Sequence, residues 1–241
     1  PIRGTDVAGQ VEAVGRNVAR LRPGDEVLGR CEGAFAEYVC ADESHFVPKP
    51  PGLSFESAAT VALAGCTALQ GLRDTGDLQP GQEVLIVGAG GGVGTYAVQI
   101  AKELGASVTG VCSTSKLELV RSLGADHVID YTLEDFTRGE RRYDLIFQLA
   151  GTASPSACRR ALTPNGSLVL SSGEGRFAGI DRVVRALVTS PFVRQQLRVF
   201  LTKETNEDLV TLATLVEAGN VTPVIDRTYP LSEVPAAIAY V

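Results

Sequence analysis

The stretch VLIVGAGGGVGTYAVQIAK, residues 84–102, decides the fold. An apolar run, Val84 to Val87, meets four glycines within five positions and then passes into a helical pattern. Val93, Ala97, Ile100, Ala101 and Leu104 fall on one face of that predicted helix, and Gly105 stops it. A glycine loop that leaves a strand and opens a helix has a physical use. Glycines let the backbone turn and approach a pyrophosphate closely. Free N–H groups and the helix dipole then favour the negative charge. Read strictly, the loop is A-x-G-x-x-G from Ala89 or G-x-G-x-x-x-G from Gly88, short of the full G-x-G-x-x-G. Its place between strand and helix carries the dinucleotide reading against the alternative of a plain turn.

Downstream, the apolar runs EVLIV (83–87), SVTGVC (107–112), HVID (127–130), YDLIFQL (143–149) and SLVLSS (167–172) recur about every twenty residues, most of them separated by helical patterns. Short buried runs alternating with helices predict an α/β protein, a doubly wound parallel sheet of the Rossmann kind. Upstream, DVAGQVEAVG, DEVLGRC and AFAEYVCA predict short strands of a small barrel or sandwich, with Pro-Gly in the turn RPGDE (22–26). KPPGLS (49–54) is a stiff connector. SFESAATVALAGCTALQGLRDTG (54–76) predicts one helix, N-capped by Ser54 or Ser57. Residues 178–203 predict an amphipathic helix interrupted by SPF. EDLVTLATLVEAGN predicts a helix with a glycine stop, and VTPVIDRTYPL an extended segment.

Composition narrows the class. Apolar residues make up 44% of the 241 and charged residues 21%, ordinary for a globular protein. A net charge of -6 speaks against a nucleic-acid partner. No apolar run nears the ~20 residues of a spanning helix, and no leader pattern opens the chain, so neither a membrane nor secretion is expected. Five scattered cysteines, an odd number, make no disulfide framework and predict a reducing, cytoplasmic setting. The chain has no methionine and ends within a helical pattern, EVPAAIAYV, which predicts a fragment of a longer protein.

The second strand of the sheet selects the nucleotide. An acid at its end would bond the adenosine ribose of NAD(H). Here VTGVCSTSKLELV has no acid at 112–116; Ser113, Thr114 and Ser115 offer hydroxyls and Lys116 a cation. A cation in the first turn of the helix SKLELVRSLGA opposes the helix dipole, and a 2′-phosphate would turn that into an attraction. The prediction is NADP(H); the alternative is a solvated surface lysine.

Taken together, GTDVAGQVEAVG, RPGDEVLG, GAFAEYV, VGAGGGVGTYAVQIAKELGA and VTPVIDRTYPLSEVPAAIAYV resemble the medium-chain dehydrogenase/reductase superfamily. The similarity is to its zinc-independent quinone oxidoreductase branch, with the zeta-crystallin-like reductases. The resemblance implies a partial GroES-like β-barrel domain over 1–60, a Rossmann nucleotide-binding domain over 61–204, and a return to the catalytic domain over 205–241. It implies truncation at both ends. The activity implied is hydride transfer from NADPH to a small-molecule acceptor, a quinone, enone or other activated double bond. Gly90, Gly91, Gly92 and Val93 would approach the pyrophosphate. Ser113, Thr114, Lys116 and Tyr131 would surround the 2′-phosphate. Thr67 would meet the nicotinamide side, with Leu149 and Ser171 near the ribose and nicotinamide. The residues also allow other readings: Thr67 as a helix hydroxyl on its own backbone, Tyr131 as a surface tyrosine and Leu149 as a core residue.

A zinc alcohol dehydrogenase of this pattern would carry Gly-His-Glu where Thr5 and Asp6 stand, and no C-x-x-C occurs. No metal is therefore expected. His45 falls in a loop and His127 at a strand start, and Cys66 and Cys112 are expected to be small buried residues. Gly90 replaces the usual serine, which should loosen the loop. Gln148 stands where relatives often have an aspartate, which leaves an orienting role there open. The front segment that lines the substrate pocket in relatives is not in this sequence, so no catalytic acid or base is assigned. A homodimer is left open. The competing readings are a noncatalytic NADPH-binding protein that acts through partner contacts, and a zinc-type alcohol dehydrogenase.

Overall fold

Residues 2–171, 195–203 and 205–240 are described by the structure, a computed structural model. The chain divides into two compact units, one built from 1–66 with 203–241 and the other from 67–202.

In the first unit, β1 (Asp6–Gln10), β2 (Glu26–Arg30) and β3 (Phe46–Pro48) form an antiparallel sheet in the order β1-β2-β3. The turn at Pro23-Gly24 works because Gly24 takes a φ of +94° and its amide donates to the Val11 carbonyl. Leu28, at the centre of β2, is fully buried. The third predicted strand, AFAEYVCA, does not form. Its backbone has no strand partner; instead the amides of Gly33 and Ala34 both turn onto the Gly4 carbonyl. Alternating polarity alone does not make a strand when its N–H and C=O groups pair elsewhere.

The single helix expected over 54–76 is three pieces: α1 (Phe55–Ala58), α2 (Ala62–Leu69) and a π-helical turn (Gln70–Thr75). Ser54 is the cap, its hydroxyl accepting from the Ser57 amide at 3.1 Å. The π turn comes close to the neighbouring sheet because residue 71 is glycine; a Cβ there would lie 2.3 Å from Phe147 Cζ.

The second unit is built on a parallel sheet of six strands: β4 (Glu83–Val87), β5 (Ser107–Cys112), β6 (His127–Asp130), β7 (Tyr143–Gln148), β8 (Leu162–Ser171) and β9 (Gln196–Phe200). Their order is β6-β5-β4-β7-β8-β9. Counted from β4, this is the doubly wound order 3-2-1-4-5-6, with its reversal between β4 and β7. Val84, Leu85, Ile86, Ile146, Phe147, Leu168 and Val169 are all fully buried, as strands covered on both faces require. Helices α3 (Gly92–Glu103), α4 (Leu117–Ser122) and α5 (Pro155–Arg160) lie between strands.

Two expectations are corrected in this unit. The helix α3 is buried from Gly94 through Ala101, on nearly every side rather than along one stripe. Its small residues let it sink against the loop before it. The segment 196–200, expected to be helical, is the edge strand β9; Leu197 and Phe200 bury against β8 and the core while its other residues stay partly exposed. The rest of that predicted helix, from 178 to 194, lies outside the described residues, as does Ser172.

Back in the first unit, α6 (Asn206–Glu217) is capped by Thr205 and closed by Gly219 at φ +77°. Its Leu212 is fully buried beside Gly65, where a Cβ would come within 2.9 Å of Leu212 Cδ1. Residues 221–231 form no strand, and α7 (Val234–Tyr240) buries none of its residues. Among the described residues no helix is long and apolar enough to cross a membrane.

Candidate nucleotide-binding site

The chain leaves β4 at Val87 and turns at Gly88, whose φ of +92° favours glycine. The amides of Gly88 and Ala89 both donate to the Val111 carbonyl, at 3.0 and 2.9 Å, which ties the loop to β5. Gly91 caps α3 without any side-chain bond, so the first-turn amides of Gly92, Val93 and Gly94 have no carbonyl of their own helix behind them. A Cβ on Gly92 would meet nothing within 4 Å, so space is open before the helix. Gly94 is the opposite case: a Cβ there would lie 2.1 Å from the Gly88 carbonyl oxygen and 2.7 Å from Ala89 Cα. The loop can close on α3 only with glycine at 94. Unpaired amides at a helix start, backed by the dipole, form a seat for an anion.

Gly90 is not loose. A Cβ on it would lie 2.8 Å from Lys116 Cβ, 3.1 Å from Lys116 Cγ and 3.5 Å from Cys112 Cβ. The room left by the missing side chain is filled by the lysine stem, which corrects the expected slack. Lys116 ends a 3-10 turn, Thr114–Lys116, and stands just before α4 rather than within its first turn. Ser113 and Ser115 face each other, hydroxyl to hydroxyl, at 3.2 Å.

Thr114 is engaged with the end of β6. Its hydroxyl donates to Asp130 Oδ2 at 2.5 Å, while the Thr132 amide and hydroxyl donate to Oδ1 at 2.9 and 2.7 Å. Thr114 thus fastens the turn after β5 to the end of β6. The hydroxyls of Thr114 and Thr132 hold the Asp130 carboxyl below its ordinary range. Tyr131 follows directly, its amide donating to the Cys112 carbonyl at 3.2 Å and its side chain 62% exposed. Burial, and then Asp130, push the Cys112 thiol up, so it stays protonated and inert.

The end of β7 abuts the same loop. The Leu149 amide donates to the Val87 carbonyl at 3.0 Å, and a Cβ on Gly88 would come within 2.9 Å of Ala150 Cβ and 3.6 Å of Leu149 Cβ. Leu149 itself is half-buried. Gln148 is buried and holds this junction: its Nε2 donates to the Ala153 carbonyl at 3.1 Å, and Cys158 Sγ donates to its Oε1 at 3.7 Å. An amide can bridge donor and acceptor at once, so Gln148 orients the 149–153 loop without a charge. Ser171 ends β8 opposite Phe200. Thr67 is buried on α2 and its hydroxyl lies 2.8 Å from that of Thr202, just beyond β9.

The loop residues Gly90 to Val93, the turn residues Ser113 to Lys116, Tyr131 and Leu149 therefore gather at the C-terminal ends of β4, β5, β6 and β7. Thr67 is engaged near the end of β9. Asp130, Ala150 and Thr202 were missed from sequence. The Asp130-Tyr131-Thr132 run carries the side-chain-to-backbone turn signal that marks the first of them. Ala150 and Thr202 have no local signal.

The described residues do not assemble a zinc ligand set. The Asp6 carboxylate accepts the Leu63 amide at 2.7 Å, and Thr5 stands beside it in sequence. His127 is paired with Arg141. Among the described residues no group of three or more His, Cys, Asp or Glu could hold a metal ion.

Comparison with known proteins meets this geometry. A family model described as an alcohol dehydrogenase GroES-like domain matches residues 1–51, and one described as a zinc-binding dehydrogenase matches 123–241. A chloroplast envelope quinone oxidoreductase homolog of Arabidopsis thaliana is 34% identical, over 99% of this chain and 75% of its own. The chain belongs to the medium-chain dehydrogenase/reductase superfamily. A 2-methylene-furan-3-one reductase of Solanum lycopersicum is 36% identical, over 96% of this chain and 57% of its own. The solved structure of a quinone oxidoreductase from Coxiella burnetii superposes with a TM-score of 0.88 at 29% identity, covering 99% of this chain and 74% of that one. The chain spans 57 to 65% of the length of three curated relatives. The superfamily's two parts correspond to what is described above, a GroES-like β sheet and a doubly wound nucleotide-binding sheet.

Proposed function

We propose that this chain is the larger part of an NADPH-dependent reductase that passes hydride to a quinone, an enone or a similar activated double bond without zinc. The observation that carries the reading is the loop at the β4–β7 reversal, with the Lys116 stem packed on Gly90 and no acid at the end of β5. Bound there, NADPH would supply the hydride. The amides of Gly91, Gly92 and Val93 would hold the pyrophosphate. Ser113, Lys116 and Tyr131 would take the 2′-phosphate, with Thr114 keeping their turn in place through Asp130. Leu149 would wall the ribose, and Thr67 and Ser171 would bound the nicotinamide side. Relatives named for quinones and enones support the acceptor class. The donor set around Asp6 supports a metal-free route.

The test is a parallel titration with NADPH and NADH, read by nucleotide fluorescence, on the chain and on Lys116→Ala. A preference for NADPH that Lys116→Ala removes supports the reading. Equal affinity for the two nucleotides ends it. Turnover of a simple quinone by the full-length protein tests the acceptor.

A further inference from the structure

Thr67 and Thr202 are the first and last residues of the second unit, and their hydroxyls lie 2.8 Å apart. The bond is one end of a longer seam. Arg198 Nη1 donates to the Thr75 carbonyl, so the run from α2 through the π-helical turn lies along β9 in the opposite direction and is fastened at both ends. Between the fastenings the Phe147 and Phe200 rings stand 6.0 Å apart, and Phe147 fills the space over Gly71. Packing holds the backbone along this seam. The hydroxyl pair adds what packing does not supply, a preferred rotamer for Thr67.

The order of the sheet gives the seam its place. A dinucleotide lies across the reversal of the strand order, one half on either side. The reversal is between β4 and β7. The Ser113–Lys116 turn and Tyr131 stand at the ends of β5 and β6, on one side of it. With the adenosine half there, the nicotinamide half falls over the ends of β7, β8 and β9. Ser171, which ends β8, is level with Phe200, and Thr202 lies just beyond. Thr67 is buried and Thr202 half-buried, so the pair lies at the rim of the packed interior.

We propose that Thr202 is a positioning residue for the nicotinamide end of the dinucleotide: its hydroxyl holds Thr67 in the rotamer that meets the ring, and Thr202 does not itself touch the nucleotide. This rests on the nucleotide reading above. A threonine is stiff at its first side-chain torsion, so one hydrogen bond is enough to select among its few staggered positions. Without that bond the Thr67 hydroxyl is divided among rotamers, and the binding-competent fraction falls.

The test is a four-way cycle of the chain, Thr202→Val, Thr67→Val and the double variant. Each is titrated with NADPH by nucleotide fluorescence, and with 2′-phospho-ADP-ribose, which lacks the nicotinamide ring, by its displacement of NADPH. Valine has the shape of threonine without the hydroxyl. Thr202→Val is expected to weaken NADPH about threefold, the dilution of one staggered rotamer among three, and to leave the ringless compound unchanged. Thr202→Ser, which restores the hydroxyl, should bind NADPH as the chain does. In the Thr67→Val background, Thr202→Val should cost nothing further. Equal losses for the two compounds would show general damage to the unit and overturn the proposal. So would no loss for NADPH, or a loss that persists without the Thr67 hydroxyl, which would make Thr202 a direct contact. The nucleotide reading fails separately. A chain that binds neither NADPH nor NADH ends that reading and this proposal with it. A chain that prefers NADH ends only the 2′-phosphate assignment, and NADH paired with ADP-ribose then carries the same cycle. Thermal melting of each variant reports folding, and Thr202→Ala takes the place of Thr202→Val if that variant does not fold.

Discussion

The backbone amide of Leu63 donates to the Asp6 carboxylate at 2.7 Å, joining the start of α2 to the first strand across 57 positions. Burial pushes this carboxyl above its usual range, and the Leu63 amide and Arg30 pull it back part of the way. Asp6→Ala leaves a partly buried amide without its acceptor and is expected to cost about 1–3 kcal/mol. Asp6→Asn keeps an acceptor and costs less. Because the folded-state value is raised, the folded protein holds this proton more tightly than the unfolded chain. Its contribution is therefore full in acid and is lost as the pH rises through the ordinary carboxylate range to the raised value. Asp6→Asn flattens that part of the profile. Urea unfolding of the three proteins on both sides of the carboxylate range checks the order and the slope; equal profiles would show that Asp6 is not the group responsible.

Gly94→Ala tests the cradle apart from the 2′-phosphate end. Its Cβ would stand 2.1 Å from the Gly88 carbonyl oxygen, so α3 must back away from the loop. The expected cost is about 1–3 kcal/mol of stability, the usual scale of overpacking. NADPH and NADH affinities should fall together, in contrast to Lys116→Ala. Thermal melting and paired titrations measure both effects, and a variant that keeps full affinity would remove Gly94 from the site.

Thr114→Val tests the fastening of the turn. Loss of the hydroxyl bond lets the Asp130 carboxyl rise toward its ordinary value, which a carbon-detected NMR titration reads directly. A carboxyl held low in the folded state stabilises at pH values above its unfolded value and loses that contribution as the pH falls through the folded value. In Thr114→Val the contribution is smaller and its loss is complete at a higher pH. An unshifted Asp130 would mean that Thr132 alone holds it.

The elements legible in the sequence are those whose signal is local. EVLIV, SVTGVC and YDLIFQL declare buried parallel strands because both faces are covered and the whole run is apolar. The glycine loop declares itself because Gly88 needs a positive φ and Gly94 a close approach. AFAEYVCA misleads because alternation says nothing about whether a partner strand exists. QLRVF misleads because five residues after a helical pattern look like its continuation, and only β8 makes them a strand. The site divides the same way. Lys116 is visible as a misplaced cation, but its seat on Gly90, 26 positions earlier, belongs to tertiary packing. So does the meeting of the Thr67 and Thr202 hydroxyls across 135 positions.

The division of the chain into an unbroken stretch, 67–202, and a split one, 1–66 with 203–241, also sets an order of assembly. Domains form as units while a chain is being made. The strands β4 to β9 are all in hand once residue 202 has emerged, and their sheet can close with nothing further. The strands β1 to β3 are made before β4 to β9, yet their unit is completed after that sheet. Their unit is completed only when Leu212 reaches Gly65 and the Asn206 side chain donates to the Ser44 carbonyl at 3.0 Å, across 162 positions. During synthesis residues 1–66 therefore wait, half-covered, until residues 203–241 have emerged.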